Sequence, residues 1–213
     1  MRSKFDEQLL ELNKEMIEMG NKIIASIGNA IEALIAGDEV KARAIMESDD
    51  KVDRLKKKIE SICFNLLIQQ QPVAKDLRIV TAAMKMVTDM ERIGDHAADI
   101  SEMTILMGKN NQISKFEHIS KMASETMLML NHSIEAYVEK NPVKAREVIE
   151  HDDVVDDLFV EAKKDVIELI LNSPEEGEEA TDILMIAKYF ERIGDHATNI
   201  AEWVIYSLKT SGE

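Results

Sequence analysis

Among its 213 residues the chain has a single cysteine, Cys63. A lone thiol excludes an intrachain disulfide framework and any zinc site built on cysteines of this chain. Apolar runs are short as well: none approaches the ~18 to 20 uninterrupted residues of a membrane span. The N-terminal stretch Met1-Arg2-Ser3-Lys4-Phe5-Asp6-Glu7 turns acidic with no apolar centre. No signal peptide and no membrane insertion are therefore expected, and the cytoplasm is the simplest location. Positive charge is scarce, with 26 Lys and Arg against 41 Asp and Glu and a net charge of −15. That balance argues against nucleic acid as a partner, and against anionic lipid, because both need Lys and Arg facing phosphates.

Breakers and aromatics are scarce too. There are 8 Gly and 3 Pro, and aromatics make up 4% of the chain. Strand-rich proteins need turn residues and favour aromatic side chains. What is present instead is Ala, Glu, Lys, Ile, Leu and 13 Met, with a hydrophobic content of 45%. These residues favour helix and can fill a core. The expected fold is all-α.

The few breakers divide the chain. Gly37-Asp38 ends one helix and caps the next, and Asn141-Pro142 does the same later, with Pro at the first helical position. Gln71-Pro72 and Gly108-Lys109-Asn110-Asn111 are further breaks. Ser173-Pro174-Glu175-Glu176 reads as a capping box. Six long helices follow, over 5–35, 38–70, 73–107, 113–139, 142–172 and 175–209. Helices this long, joined by short loops, are those of bundles.

The six are two sets of three. Residues 91–102 (ERIGDHAADISE) match 191–202 (ERIGDHATNIAE) at nine of twelve positions, offset by 100. Residues 40–53 (VKARAIMESDDKVD) match 143–156 (VKAREVIEHDDVVD) at nine of fourteen, offset by 103. The expected architecture is a tandem duplication of a three-helix bundle with pseudo-two-fold symmetry, over 1–110 and 111–213.

At 100° per residue, Glu91 and Asp95 share a helical stripe with Val80, Met84 and Val87. Glu191 and Asp195 share one with Leu184 and Ala187. Asp49 and Asp53 align with Ala42, Ile45 and Val52, and Asp152 and Asp156 with Val148 and Val155. Asp50 and Asp153 fall at the stripe edge. If these stripes face each other, at least four carboxylates converge in each half. Crowded carboxylates repel and lose hydration, so something must offset them. Hard oxygen ligands suit Mg, Ca, Mn or iron. The competing arrangement is a solvated acidic face bridged by Lys56, Arg92 and Arg192. Recurrence of the same acids on equivalent faces of both halves favours cations.

His96 and His196 lie about 140° from Glu91 and Glu191, which makes them second-tier, interhelix or surface groups rather than direct ligands. The Glu-x-x-His pattern of di-iron carboxylate proteins is absent. Gly94 and Gly194 sit inside helices; close helix approach beside the acids is the plain reading, and room for a bound ion the sharper one. No Gly-rich phosphate loop, nucleophile elbow or HExxH is present.

With both copies of ERIGDHA-x-x-I and their upstream VKAR…DD-x-VD segments, the chain resembles the PhoU family of phosphate-uptake regulators over essentially its whole length. The resemblance implies a non-enzymatic cytoplasmic negative regulator of phosphate uptake and phosphate-starvation signalling. Its implied partners are the ATPase of a phosphate ABC transporter, a phosphate-responsive sensor histidine kinase and a second copy of the chain in a homodimer. It also implies multinuclear iron or zinc clusters on Glu91, Asp95, Asp99, Asp49 and Asp53, and on Glu191, Asp195, Asn199, Asp152 and Asp156. The change from Asp99 to Asn199 removes one charge from the second set. Two other classes compete: a carboxylate-bridged metalloenzyme, which needs an open coordination position, and a metal-free helical scaffold.

Overall fold

The computed structural model describes residues 2–70, 75–108, 113 and 116–209. The expected breaks at Gln71-Pro72 and Lys109–Asn111, and the boundary between 110 and 111, lie outside the described residues. Among the described residues seven α-helices are formed: α1 (Arg2–Ala36), α2 (Glu39–Ser48), α3 (Asp50–Gln70), α4 (Lys75–Met107), α5 (Glu117–Glu139), α6 (Pro142–Asn172) and α7 (Gly177–Leu208). No strand occurs among the described residues.

The turns α1–α2 and α5–α6 are built alike. Gly37 (φ 60) and Lys140 (φ 53) both take the left-handed conformation. That geometry lets the next amide reach back into the helix just ended: Asp38 N–H to Ala33 O and Asn141 N–H to Ala136 O, each 2.9 Å. The Asp38 carboxylate then accepts from Lys41 N–H (3.0 Å), and Asn141 Oδ1 from Val143 and Lys144 N–H (3.0 and 3.2 Å). Both expected N-caps are therefore made.

Two local expectations are corrected. The helix expected over 38–70 is interrupted at Asp49, where Val52 N–H bonds Asp49 O at 2.8 Å, a tightened 3-10 step. Asp49 keeps helical dihedrals (φ −59, ψ −37), so the chain runs on from α2 into α3. The equivalent stretch of α6 is unbroken. The Ser173 capping box does not form. The Ser173 carbonyl, not its hydroxyl, takes Glu176 N–H (3.0 Å), Pro174–Glu176 closes as a 3-10 turn, and α7 starts at Gly177.

Helices α4 and α7 form the centre and pack on each other. α1, α2 and α3 cover α4, and α5 and α6 cover α7. The central pair is antiparallel: His96 meets Tyr189 (ring centroids 5.6 Å) while His196 meets Asp89 (2.9 Å). α1 and α5 are antiparallel as well. Tyr137 Oη donates to Asn13 Oδ1 (2.5 Å), and farther along a Cβ on Gly20 would lie 2.9 Å from Ile134 Cγ2. The pseudo-two-fold therefore passes between α4 and α7 and between α1 and α5. Met86, Met90, Ile93, Phe190, Ile193 and their neighbours on these helices are fully buried. Full burial of such side chains is the main stabilising contribution, roughly 1.5–3 kcal/mol each.

Candidate functional site: two acidic patches and the seam between them

Each half carries one acidic patch, where the helix after the turn meets the central helix. In the first half Asp49 and Asp53 come from α2–α3, and Glu91 and Asp95 from α4. Gly94 makes this approach possible: a Cβ there would lie 3.1 Å from Val52 Cγ1 and 3.6 Å from Asp49 Oδ1. In the second half Asp152 and Asp156 come from α6, and Glu191 and Asp195 from α7. A Cβ on Gly194 would lie 3.3 Å from Asp152 Oδ1 and 3.5 Å from Val155 Cγ1. Close approach beside the acids is thus the reason for both mid-helix glycines.

The carboxylates are crowded enough to alter their acidity. Burial, then Asp95, Asp53 and Glu91, push Asp49 up. Burial and Glu91 raise Asp95, against the pull of Arg92. Asp152 is pushed up to about 6, by burial first and then by Asp156 and Asp195, with the Thr198 hydroxyl opposing. Asp156 is exposed, yet desolvation, Glu191 and Asp195 raise it as well. Asp50 and Asp153 stand exposed outside the patches.

The patches lie at half-buried rims, and the Glu91 and Glu191 side chains are 16% and 15% exposed. Each pairs with a lysine of different origin. Lys56 of α3 reaches Glu91 Oε1 at 2.9 Å, whereas Glu191 is met by Lys188 of its own helix. The counterpart of Lys56 is Phe159, whose ring lies under the Lys188 ammonium at 5.2 Å. Arg92 and Arg192 bind Asp95 and Asp195 at 3.2 and 3.3 Å. The bridging cations named from the sequence are therefore in place. Glu91 Oε2 is buried without a hydrogen-bond partner, with Arg92 Nε 3.9 Å away, whereas Glu191 Oε2 is the oxygen that the Lys188 ammonium meets.

The donor chemistry fits a hard cation, and so does the orphaned Glu91 oxygen. The side chains as they stand do not form a cage: among the described residues no three His, Cys, Asp or Glu groups are arranged to hold a metal ion. Iron or zinc clusters would be held by Asp49, Asp53, Glu91 and Asp95, and by Asp152, Asp156, Glu191 and Asp195, once the lysines turn away.

Asp99 and Asn199 have other partners. Asp99 Oδ2 accepts from His96 Nδ1 (3.0 Å), and Asn199 Nδ2 donates to Asp89 Oδ1 (3.0 Å), which also meets His196 Nδ1 (2.9 Å). The His96 and His196 rings lie 5.8 Å apart. These groups form a polar seam between α4 and α7, on the pseudo-two-fold. Desolvation lowers the pKa of His96, with Asp99 opposing. Sequence reasoning missed Asp89 and Tyr189. The signal was there: the repeats differ both at 89/189 (Asp, Tyr) and at 99/199 (Asp, Asn), and the two differences meet in this seam.

The profile described as the PhoU domain matches the chain twice, over residues 16–104 and 119–204. The chain belongs to the PhoU family. A curated PhoU homologue of Clostridium acetobutylicum, described as a phosphate-specific transport system accessory protein, is 36% identical over 97% of this chain and 95% of its own length. The crystal structure of PhoU from Pseudomonas aeruginosa superposes with a TM-score of 0.92 at 28% identity, covering 95% of this chain and 98% of that one. PhoU from Streptococcus pneumoniae, a phosphate transport system regulatory protein, gives 0.87 at 27% identity, over 95% and 96%. The all-α PhoU fold is thereby shown. Among the described residues no helix is long and apolar enough to cross a membrane.

Proposed function

We propose that the chain is the accessory regulator of a phosphate transport system. It acts in the cytoplasm, restrains uptake and starvation signalling when phosphate is plentiful, and links the ATPase of a phosphate ABC transporter to a sensor histidine kinase. The observation that carries this reading is family membership across both halves, together with relatives named as phosphate-specific transport accessory proteins. It is a binding role and not catalysis: no nucleophile or Glu-x-x-His set accompanies the acids. Self-association into a dimer belongs to the same reading.

The acidic patches are its cation sites. Glu91 would offer the oxygen that now lacks a hydrogen bond, Glu191 the oxygen that Lys188 now holds, and the neighbouring aspartates would supply the rest. A bound di- or trivalent cation would neutralise the crowded carboxylates. The alternative, a metal-free scaffold, draws support from Lys56 and Lys188 already serving as counter-charges.

The test is a phosphate-responsive reporter in a host lacking this protein. The reporter should be constitutively on, and restoring the chain should switch it off; an indifferent reporter defeats the proposal. Elemental analysis of purified protein tests the cation part separately. Iron or zinc that is lost on combining Asp95→Asn with Asp195→Asn supports the cation sites, and metal-free protein with unchanged reporter control supports the scaffold.

A further inference from the structure

The second half carries a histidine pair that its duplicate lacks. His132 of α5 and His151 of α6 line one cavity of about 160 Å³ between these helices, together with the exposed Glu147 and the buried Met129 and Val148. Glu147 and His151 stand four residues apart, one turn of α6, a spacing at which two side chains of a helix reach the same ion. His151 Nε2 donates to Glu125 Oε2 of α5 (2.6 Å). In a neutral imidazole that leaves Nδ1 as the nitrogen with a free lone pair. A carboxylate holding the remote N–H is the usual support of a metal-bound histidine. The His132 ring takes no hydrogen bond among the described residues.

This cluster is separate from the acidic patch. Asp152 leaves α6 about 100° round from His151. It meets α7, where a Cβ on Gly194 would lie 3.3 Å from its Oδ1, whereas His151 meets α5. Nor does the duplicated fold require the cluster. The positions 103 lower than Glu125, His132, Glu147 and His151 are Lys22, Asn29, Ala44 and Ser48, with neither an imidazole nor a carboxylate among them.

We infer that His132, His151 and Glu147 form a site for one zinc ion, or a similar divalent transition metal, that bridges α5 and α6. Two imidazoles and one carboxylate suit zinc and select against Mg or Ca, which take oxygen ligands. The three groups are not closed round an ion as they stand. Glu147 is exposed, and its flexible side chain swings over the cavity when the metal enters. Water completes the four ligands. The site uses no acid of the patches, so it stands or falls apart from them.

The experiment is a zinc titration of the full chain, followed through the ring ¹⁵N resonances of its 5 histidines. His132 and His151 should shift together, along a single binding curve. His118, paired with Asp165 (2.6 Å) farther along the same two helices, should not move. His132→Ala and His151→Ala should each weaken this binding by about tenfold or more. Glu147→Gln should weaken it too, and because Glu147 is exposed this variant keeps the test open if a histidine variant misfolds. Asp95→Asn combined with Asp195→Asn should leave both shifts in place, whatever it does to metal held elsewhere. Zinc that leaves either ring unmoved overturns the inference. So does His132→Ala protein in which His151 still shifts at the wild-type zinc concentration, or a Glu147→Gln curve identical to wild type.

Discussion

Replacing Asp152 by Asn tests whether the acidic patches are under electrostatic strain. The Asp152 carboxyl is pushed from 3.8 to about 6, chiefly by burial and then by Asp156 and Asp195. Each pKa unit corresponds to about 1.4 kcal/mol, so the ionised form disfavours the fold by at most roughly 3 kcal/mol. Asp152 is only partly buried, and water screening reduces this to about 1.5 kcal/mol. The sign follows from linkage. Below the unfolded value of 3.8 the carboxyl is protonated in both states, and Asp152→Asn has no advantage. The advantage grows between 3.8 and about 6 and is complete above about 6. In chelator-treated protein at neutral pH the variant should therefore be more stable by about 1.5 kcal/mol, or about 3–6 °C in Tm for a chain of this length. Urea titrations across that pH range measure it. A variant no more stable than wild type at neutral pH refutes the reasoning, as does a gain that persists unchanged at low pH. The first would mean the carboxylates do not repel, and the second that the gain is not electrostatic.

Gly20→Ala should destabilise by about 1–3 kcal/mol despite the better helix propensity of Ala, because its Cβ would lie 2.9 Å from Ile134 Cγ2; chemical denaturation, with Ile134→Ala as the partner in a double-mutant cycle, should show strong coupling. Asp89→Ala leaves His196 and Asn199 without their shared acceptor and should cost about 1–3 kcal/mol, whereas Asp99→Ala removes the partner of His96 alone and should cost less. The buried Cys63 thiol, pushed up to about 12 by burial, should resist a thiol reagent in native protein and react only as the chain unfolds; rapid native labelling would contradict its burial.

Much of the fold was legible because its determinants are local. Asp38 and Asn141 set helix starts through hydrogen bonds within three residues, and the structure makes those bonds. Ser173 carried the same signal and failed, because a 3-10 turn satisfied the same amide through the backbone. The acidic site was legible in part. The helical wheel gives the angle at which a side chain leaves its helix, and it grouped Glu91 with Asp95 and Asp152 with Asp156. It cannot say which helix stands at that angle. The resemblance, not the wheel, added Asp99 and Asn199 to the acids, and in three dimensions they meet His96 and Asp89 at the central seam.

The sequence by itself determined the long helices and the duplication, since periodicity, caps and repeats need no knowledge of neighbours, though it did not foresee the break at Asp49. It also determined the excess of negative charge and the absence of cysteine-based or phosphate-loop chemistry. Tertiary structure alone decided that the halves pack antiparallel through α4 and α7. It decided that Lys56 serves Glu91 from a neighbouring helix while Lys188 serves Glu191 from its own. The physical reason is the same throughout: burial and ion pairing depend on distances between segments far apart in the chain, and only packing sets those distances.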